Sequence, residues 1–197
     1  MLSDGYIGDR SSYKNLDSHM RIETDLGTVE LVDEPMYSFD SSDNARAYRF
    51  ARNFAINGKA TSAHSVLLDS QAIAVFGKNG GCTGVHAHSA VYERGLMYLA
   101  VGASAVCVRL NPFEFKWIAQ VDSATCFGIH RHAGHQALIS HGELEIARLS
   151  KDGDLLWSSS GADIFSEGFS LLPHCIEVVD FNGIVYRFDY DNGRSVA

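Results

Sequence analysis

HGELEIARLSKDGDLLWSSSG, residues 141–161, decides the fold of the 197-residue chain. Two short apolar runs, LEIARLS and DLLWSSS, flank Asp152-Gly153, the signature of antiparallel strands joined by a tight turn. A second stretch, CIEVVDFNGIVYRFDYDNGRSV (175–196), repeats the scheme with Asn182-Gly183 and Asn192-Gly193 as its turns. The two share a spacing. Trp117 and Trp157 stand 40 residues apart, as do Gly102 and Gly142, and Asp152-Gly153 and Asn192-Gly193. Arg148 and Arg187 are separated by 39, and Gly84, Gly128 and Gly168 follow at intervals of 44 and 40.

Outward from this core, residues 63–197 form a series of short runs rich in Val, Ile, Leu and aromatics, divided by Gly, Asp and Asn turns. No helical pattern of useful length interrupts them, so the reading is antiparallel and all-β. A period near 40 holding four short strands predicts a β-propeller blade. The blades fall at about 84–121, 126–160 and 168–197, with an N-terminal blade drawn from 20–83. About four blades make a small or incomplete β-propeller, and a β-sandwich built from the same strands is the alternative. MRIETDLGTVELVDE (20–34) predicts two strands around Asp-Leu-Gly, and 33–45 a loop. ARAYRFARNFAI (45–56) is read as a strand, and the polar residues 1–19 as a flexible leader to a single domain over 20–197.

The stretches 141–161 and 175–196 resemble the PQQ-like (quinoprotein-type) propeller repeats, which run strand, Asp/Asn-Gly, strand, Asp-x-x-(Thr/Asn)-Gly and then an aromatic. The resemblance covers at most residues 84–197. It implies the fold alone, because the residues that hold a quinone in that family have no counterpart here.

Composition narrows the function. Twenty-four acidic against 16 basic residues give a formal charge of −8, and no Lys/Arg cluster is interleaved with aromatics. Such a surface repels nucleic acid and attracts basic proteins. The first twenty residues show no apolar signal core, and GLMYLAVGASAVCV (95–108) is too short for a bilayer. Four scattered cysteines without a CxxC pair suit free thiols, so the expectation is a cytoplasmic protein without a membrane partner. Cys107, Cys82 and Cys126 read as small buried hydrophobes. KNGGCTG (78–84) is a turn, lacking the Lys-Ser/Thr ending of a phosphate loop.

One motif stands out. CTGVHAH (82–88) returns as CFGIHRH (126–132). If both are first strands of adjacent blades, alternation places Cys82, Gly84, His86 and His88 on one face, and Cys126, Gly128, His130 and His132 likewise. His-x-His on a strand projects two imidazoles side by side, so His86, His88, His130 and His132 are candidate ligands for a divalent metal such as zinc. His135, His141 and Glu143 are candidate supporting residues. SEGFSLL (166–172) keeps only the glycine and the apolar residue, which makes glycine a blade feature and the histidines an addition. Histidines bonded within the sheets, or a polar cluster without metal, explain the same residues.

Three functions follow. The first is a non-catalytic binding protein that uses propeller loops, an inhibitor or immunity-type protein for a basic partner. The second is a metal-dependent hydrolase or lyase with Glu143 as base. The third is a repeat scaffold that assembles with itself through an open edge. The binding protein is preferred because no catalytic motif is present. Trp117 and Trp157 are expected between blades, and Arg148 and Arg187 in ion pairs with Glu145 or Asp189.

Overall fold

Alternating apolar runs cut by turns yield four small sheets in the computed structural model, which describes residues 19–196. The first contains β1 (His19–Thr24), β2 (Gly27–Asp33), β3 (Phe50–Asn53), β4 (Ser62–Leu68) and β5 (Gln71–Lys78), in the order β1-β2-β4-β5-β3. The second is a meander of β6 (Ala90–Glu93), β7 (Leu96–Val101), β8 (Ser104–Arg109) and β9 (Glu114–Gln120). The third repeats it with β10 (Cys126–His132), β11 (Ala137–Gly142), β12 (Glu145–Leu149) and β13 (Leu155–Ser160). The fourth has β14 (Gly168–Leu171), β15 (Ile176–Val179) and β16 (Val185–Phe188). All strand pairs are antiparallel except β3 with β5. Among the described residues the only helical element is a single 3-10 turn, Ile56–Gly58. No helix among them is long and apolar enough to cross a membrane.

The sheets stack in chain order. One apolar cluster joins the first to the second through Leu31, Val66, Phe76, Met97 and Leu99. The next joins the second to the third through Tyr98, Cys107, Ile129 and Leu149, and another the third to the fourth through Ile139, Ile146, Phe165 and Val178. None of these clusters joins the first sheet to the fourth. Each sheet hides an apolar face against its neighbour in chain order, so the architecture is an incomplete β-propeller, with the sheets as blades.

Recurring details mark the blades as copies. The ladder between the third and fourth strands slips at Val66/Leu67, at Cys107/Val108 and at Arg148/Leu149, at intervals of 41 residues. Trp117 on β9 lies against Gly153 in the β12–β13 turn, and its Nε1 donates to the Lys151 carbonyl at 2.9 Å. Trp157 on β13 lies against Gly193, and its Nε1 donates to the Tyr190 carbonyl at 2.9 Å. Both glycines have positive φ, +93° and +68°, and a Cβ would stand 2.7 and 2.6 Å from the respective indole. The 40-residue spacing is therefore a spacing of inter-blade docks.

Several expectations are corrected. Residues 1–18, most of the expected leader, lie outside the described residues, while His19 already belongs to β1. The strand read over 45–56 shortens to Phe50–Asn53, and it pairs in parallel with β5 because it belongs to an insertion, residues 34–61. That insertion covers the face of the first blade turned away from the second. Ser65 and Val75 there are fully buried; Phe39 packs on Gly77, and Glu34 accepts from Ser65 and Tyr48. Arg148 and Arg187 pair with Asp191 and Glu177, not with Glu145 or Asp189. Alternation along β12 puts Glu145 on the face opposite Arg148, where it accepts from Ser158, and the Asp189 carboxylate accepts from Asp191 and Asn192 N–H in the turn.

Candidate functional site

The two Cys-x-Gly-x-His-x-His segments differ in structure. CFGIHRH is β10, whereas CTGVHAH is irregular chain crossing from the first blade to the second. Ala90 pairs with Leu99 as His130 pairs with Ile139, so Ala90 and not His86 holds the blade position of His130. A bulge between Cys126 and Gly128 also turns Cys126 to the opposite face, where it packs toward the second blade. Cys82, expected buried, is exposed for the same reason: it lies on the crossing chain rather than in a sheet. Burial pushes the Cys107 thiol up to about 12 and the Cys126 thiol higher still, which suits inert core thiols.

The segments nevertheless meet. The His88 carbonyl accepts from Ile129 N–H at 2.9 Å, and a Cβ on Gly128 would lie 2.8 Å from that oxygen. His86, His88, His130 and His141 gather here, with Phe169 of the fourth blade inserted. Ring centroids are 5.0 Å apart for His88–His130, 4.3 Å for His130–Phe169 and 4.6 Å for Phe169–His141. His86 Nε2 donates to the Phe127 carbonyl at 2.7 Å, and its Nδ1 accepts from His88 N–H. His141 Nε2 donates to the Phe165 carbonyl at 3.3 Å, while His130 Nε2 is buried without a partner. His132 is elsewhere. It meets His135 and Tyr190, its Nδ1 accepts from His135 N–H, and His135 Nε2 donates to the Pro173 carbonyl at 2.9 Å. The predicted ligand set is thus divided between two places, and among the described residues no three His, Cys, Asp or Glu side chains stand ready to hold a metal.

Burial sets the electrostatics of the stack. Loss of water holds His130 down to about 3, with His88, His141 and His86 adding to the effect. Desolvation likewise lowers His141 to about 4, opposed by its hydrogen bond to Phe165 and helped by His86 and His88. Both rings are neutral at pH 7.

A second constellation lies at one end of the third and fourth blades, where four connecting segments come together: 121–125, 142–145, 160–168 and 180–184. They carry six carboxylates and no Lys or Arg. Two of the six are structural. Asp122 is 2% exposed and accepts from the backbone N–H groups of Ala124, Thr125, Leu144 and Glu145. Buried Asp180 accepts from Asn182 N–H, Ile184 N–H and the Tyr186 hydroxyl. Glu143, Glu145, Asp163 and Glu167 reach the surface without a Lys or Arg partner among the described residues. Between them runs a groove of about 290 Å³ lined by Ser123, Leu144, Glu145 and residues 160–163. At its rim the β15–β16 turn exposes Phe181 (64%) and Ile184 (49%). Of these residues the sequence reading named only Glu143, as a metal-site support and base, and Glu145, as an ion-pair partner. Their common sign emerges only when the strand order shows which turns share an end.

No family model and no curated protein matches the chain. Among solved structures it is similar to BamB from Moraxella catarrhalis, at 12% identity and a TM-score of 0.48, over 68% of this chain and 42% of that one. The chain spans less than half of that structure's length.

Proposed function

We propose that the chain is a non-catalytic protein-binding module that docks a basic partner on the loop end of its third and fourth blades. The observation that carries the reading is the juxtaposition of four surface carboxylates, with no compensating cation among the described residues, and the exposed apolar side chains Phe181 and Ile184. Uncompensated carboxylates steer a cationic surface toward the site and hold its orientation, and a desolvated aromatic supplies an anchor. The net charge of −8 acts in the same direction at longer range. In this reading the protein works in the cytoplasm as an inhibitor or immunity-type binder, and it catalyses nothing.

The test is affinity capture from native lysate with the wild type and with a Glu145→Lys/Asp163→Lys variant, across a salt series. The expected result is a stoichiometric basic protein, retained at low salt by the wild type and reduced at least about tenfold by the charge reversal. Equal capture by both proteins, or no basic partner under any growth condition, overturns the reading.

A further inference from the structure

The acidic loop end of the third and fourth blades has a counterpart of opposite sign on the first. Residues 45–61 of the insertion carry Arg46, Arg49, Arg52 and Lys59 and no Asp or Glu, in a chain whose formal charge is −8. The aromatics among them turn inward: Tyr48 packs on Tyr37, and Phe50 and Phe54 pack on Phe76 and Phe115. We propose that this segment docks on the acidic loop end of a second copy, so that chains associate head to tail. The inference rests on the reading that this end takes a cationic surface, and it names the occupant when no other basic partner is bound.

Arg46 is spent on Glu34 at 2.6 Å, and the other cations are available. Arg52 is exposed, and its guanidinium lies over the Phe54 and Phe115 rings, 5.3 and 5.6 Å from their centroids. Those rings hold the charge in position before any partner arrives, which lowers the entropy lost on docking. Arg49 Nη2 donates to the neutral Gln71 side chain at 3.3 Å, and exposed Lys59 follows the 3-10 turn. Arg49, Arg52 and Lys59 have no Asp or Glu partner among the described residues. Beside Lys59 the turn exposes Ile56 (70%), as the β15–β16 turn exposes Phe181 on the acidic end. Each surface thus sets an apolar side chain among charges of one sign, and the two signs are complementary.

A single chain does not pair the two. Among the described residues, the hydrogen bonds, ion pairs and ring contacts of 45–61 stay within the first two blades and the crossing between them. No apolar cluster brings the first blade to the fourth. The contact is therefore made between copies. Because the two surfaces differ, it is heterologous: each added copy presents a fresh surface, and the assembly extends beyond the dimer. Attraction between exposed charges is screened beyond about 10 Å at 0.1 M salt, so association weakens as salt rises. It also covers the acidic end until another cationic surface displaces the neighbouring copy.

Sedimentation velocity of the purified chain tests this without a lysate. The wild type is expected to show a weight-average coefficient that rises with concentration at about 20 mM salt and returns to the monomer at about 0.5 M. An Arg49→Gln/Arg52→Gln variant and the Glu145→Lys/Asp163→Lys variant should each associate at least about tenfold more weakly. Mixed in equal amounts, the two variants should form a dimer and nothing larger, because one intact basic segment then meets one intact acidic end. The salt series of the wild type decides even where a variant fails to fold. A wild type that stays monomeric at low salt, or association indifferent to salt, overturns the inference. So does wild-type association by either variant, or a mixture without the dimer. A monomeric wild type that still captures a basic protein from lysate rejects the second copy alone, whereas equal lysate capture by wild type and charge reversal rejects the partner-site reading.

Discussion

The junction between the third and fourth blades and the junction between the first and second solve one packing problem by different means. At the third–fourth junction an indole docked on a glycine stands beside the apolar cluster. Trp157 lies flat on Gly193, and the Tyr190 carbonyl accepts from both Trp157 and Arg148. At the first–second junction there is no tryptophan. Phe50, Phe54, Phe76 and Phe115 stack with centroids 5.5–6.4 Å apart, and Arg52 lies over the Phe54 and Phe115 rings. Two of these rings, Phe50 and Phe54, lie in the insertion that also covers the outer face of the first blade. A dock of one side chain on one glycine needs a fixed backbone, and a cluster of rings needs volume. The same blade geometry therefore tolerates change differently at its two junctions.

The largest effect is expected where volume matters most. Phe76 is fully buried among the four rings, and Phe76→Ala should cost about 4 kcal/mol by urea denaturation. A loss below about 1 kcal/mol would mean that the neighbouring rings close the cavity and the cluster is looser than described. At the tryptophan dock the backbone carries the sensitivity. Gly193→Ala should cost about 2 kcal/mol, combining its φ of +68° with a Cβ placed 2.6 Å from the Trp157 ring. Gly183 is the control: its φ is +79°, but a Cβ there meets nothing within 4 Å, so Gly183→Ala should cost only about 1 kcal/mol. In a Trp157→Ala background the penalty at Gly193 should fall to that of Gly183, a coupling read from the double-mutant cycle. Equal penalties at Gly193 and Gly183 in the wild type would break the distinction between dock and cluster.

This difference explains what could be read from the residues. The later blades were legible because their docks use the rarest side chain and a positive-φ glycine, both visible as letters at a fixed interval. The first blade was not legible as a copy. Its phenylalanines are common residues, its third strand is delayed by 34–61, and the sign of its kinship is a ladder slip at Val66/Leu67 that only backbone pairing shows. The histidine motif misled for a related reason. Its copies are separated by 44 residues where the blades repeat at 40 or 41, since the crossing from β5 to β6 uses residues 79–89 and that from β9 to β10 only 121–125. Four residues of slip put one copy in a loop and the other in a strand. His141, named beside the motif as a supporting residue, does reach the stack, since it pairs with Gly128 across β10 and β11. What could not be foreseen is Phe169, which lies over both His130 and His141 from a blade whose first strand keeps none of the motif histidines.

The smallest effects test equivalence itself. Arg148 and Arg187 occupy the third strand of consecutive blades, yet the fourth blade has no full fourth strand beside β16 among the described residues. Only the Phe188–Ser195 bridge continues its ladder. Arg148 is consequently enclosed: its side chain is 16% exposed and donates to the Tyr190 carbonyl at 2.7 Å, Asp191 at 2.9 Å and the His135 carbonyl at 3.4 Å. Arg187 is 46% exposed and has Glu177 alone. An enclosed guanidinium that satisfies two carbonyls leaves them unpaired when removed, whereas an exposed ion pair is replaced by water. Arg148→Ala should therefore cost about 2 kcal/mol and Arg187→Ala at most about 0.5 kcal/mol. Arg148→Lys should recover little of the loss, because one ammonium cannot span the acceptors that the planar fork reaches. Equal costs at the two positions would show that sequence equivalence, rather than the missing ladder, sets the worth of these arginines.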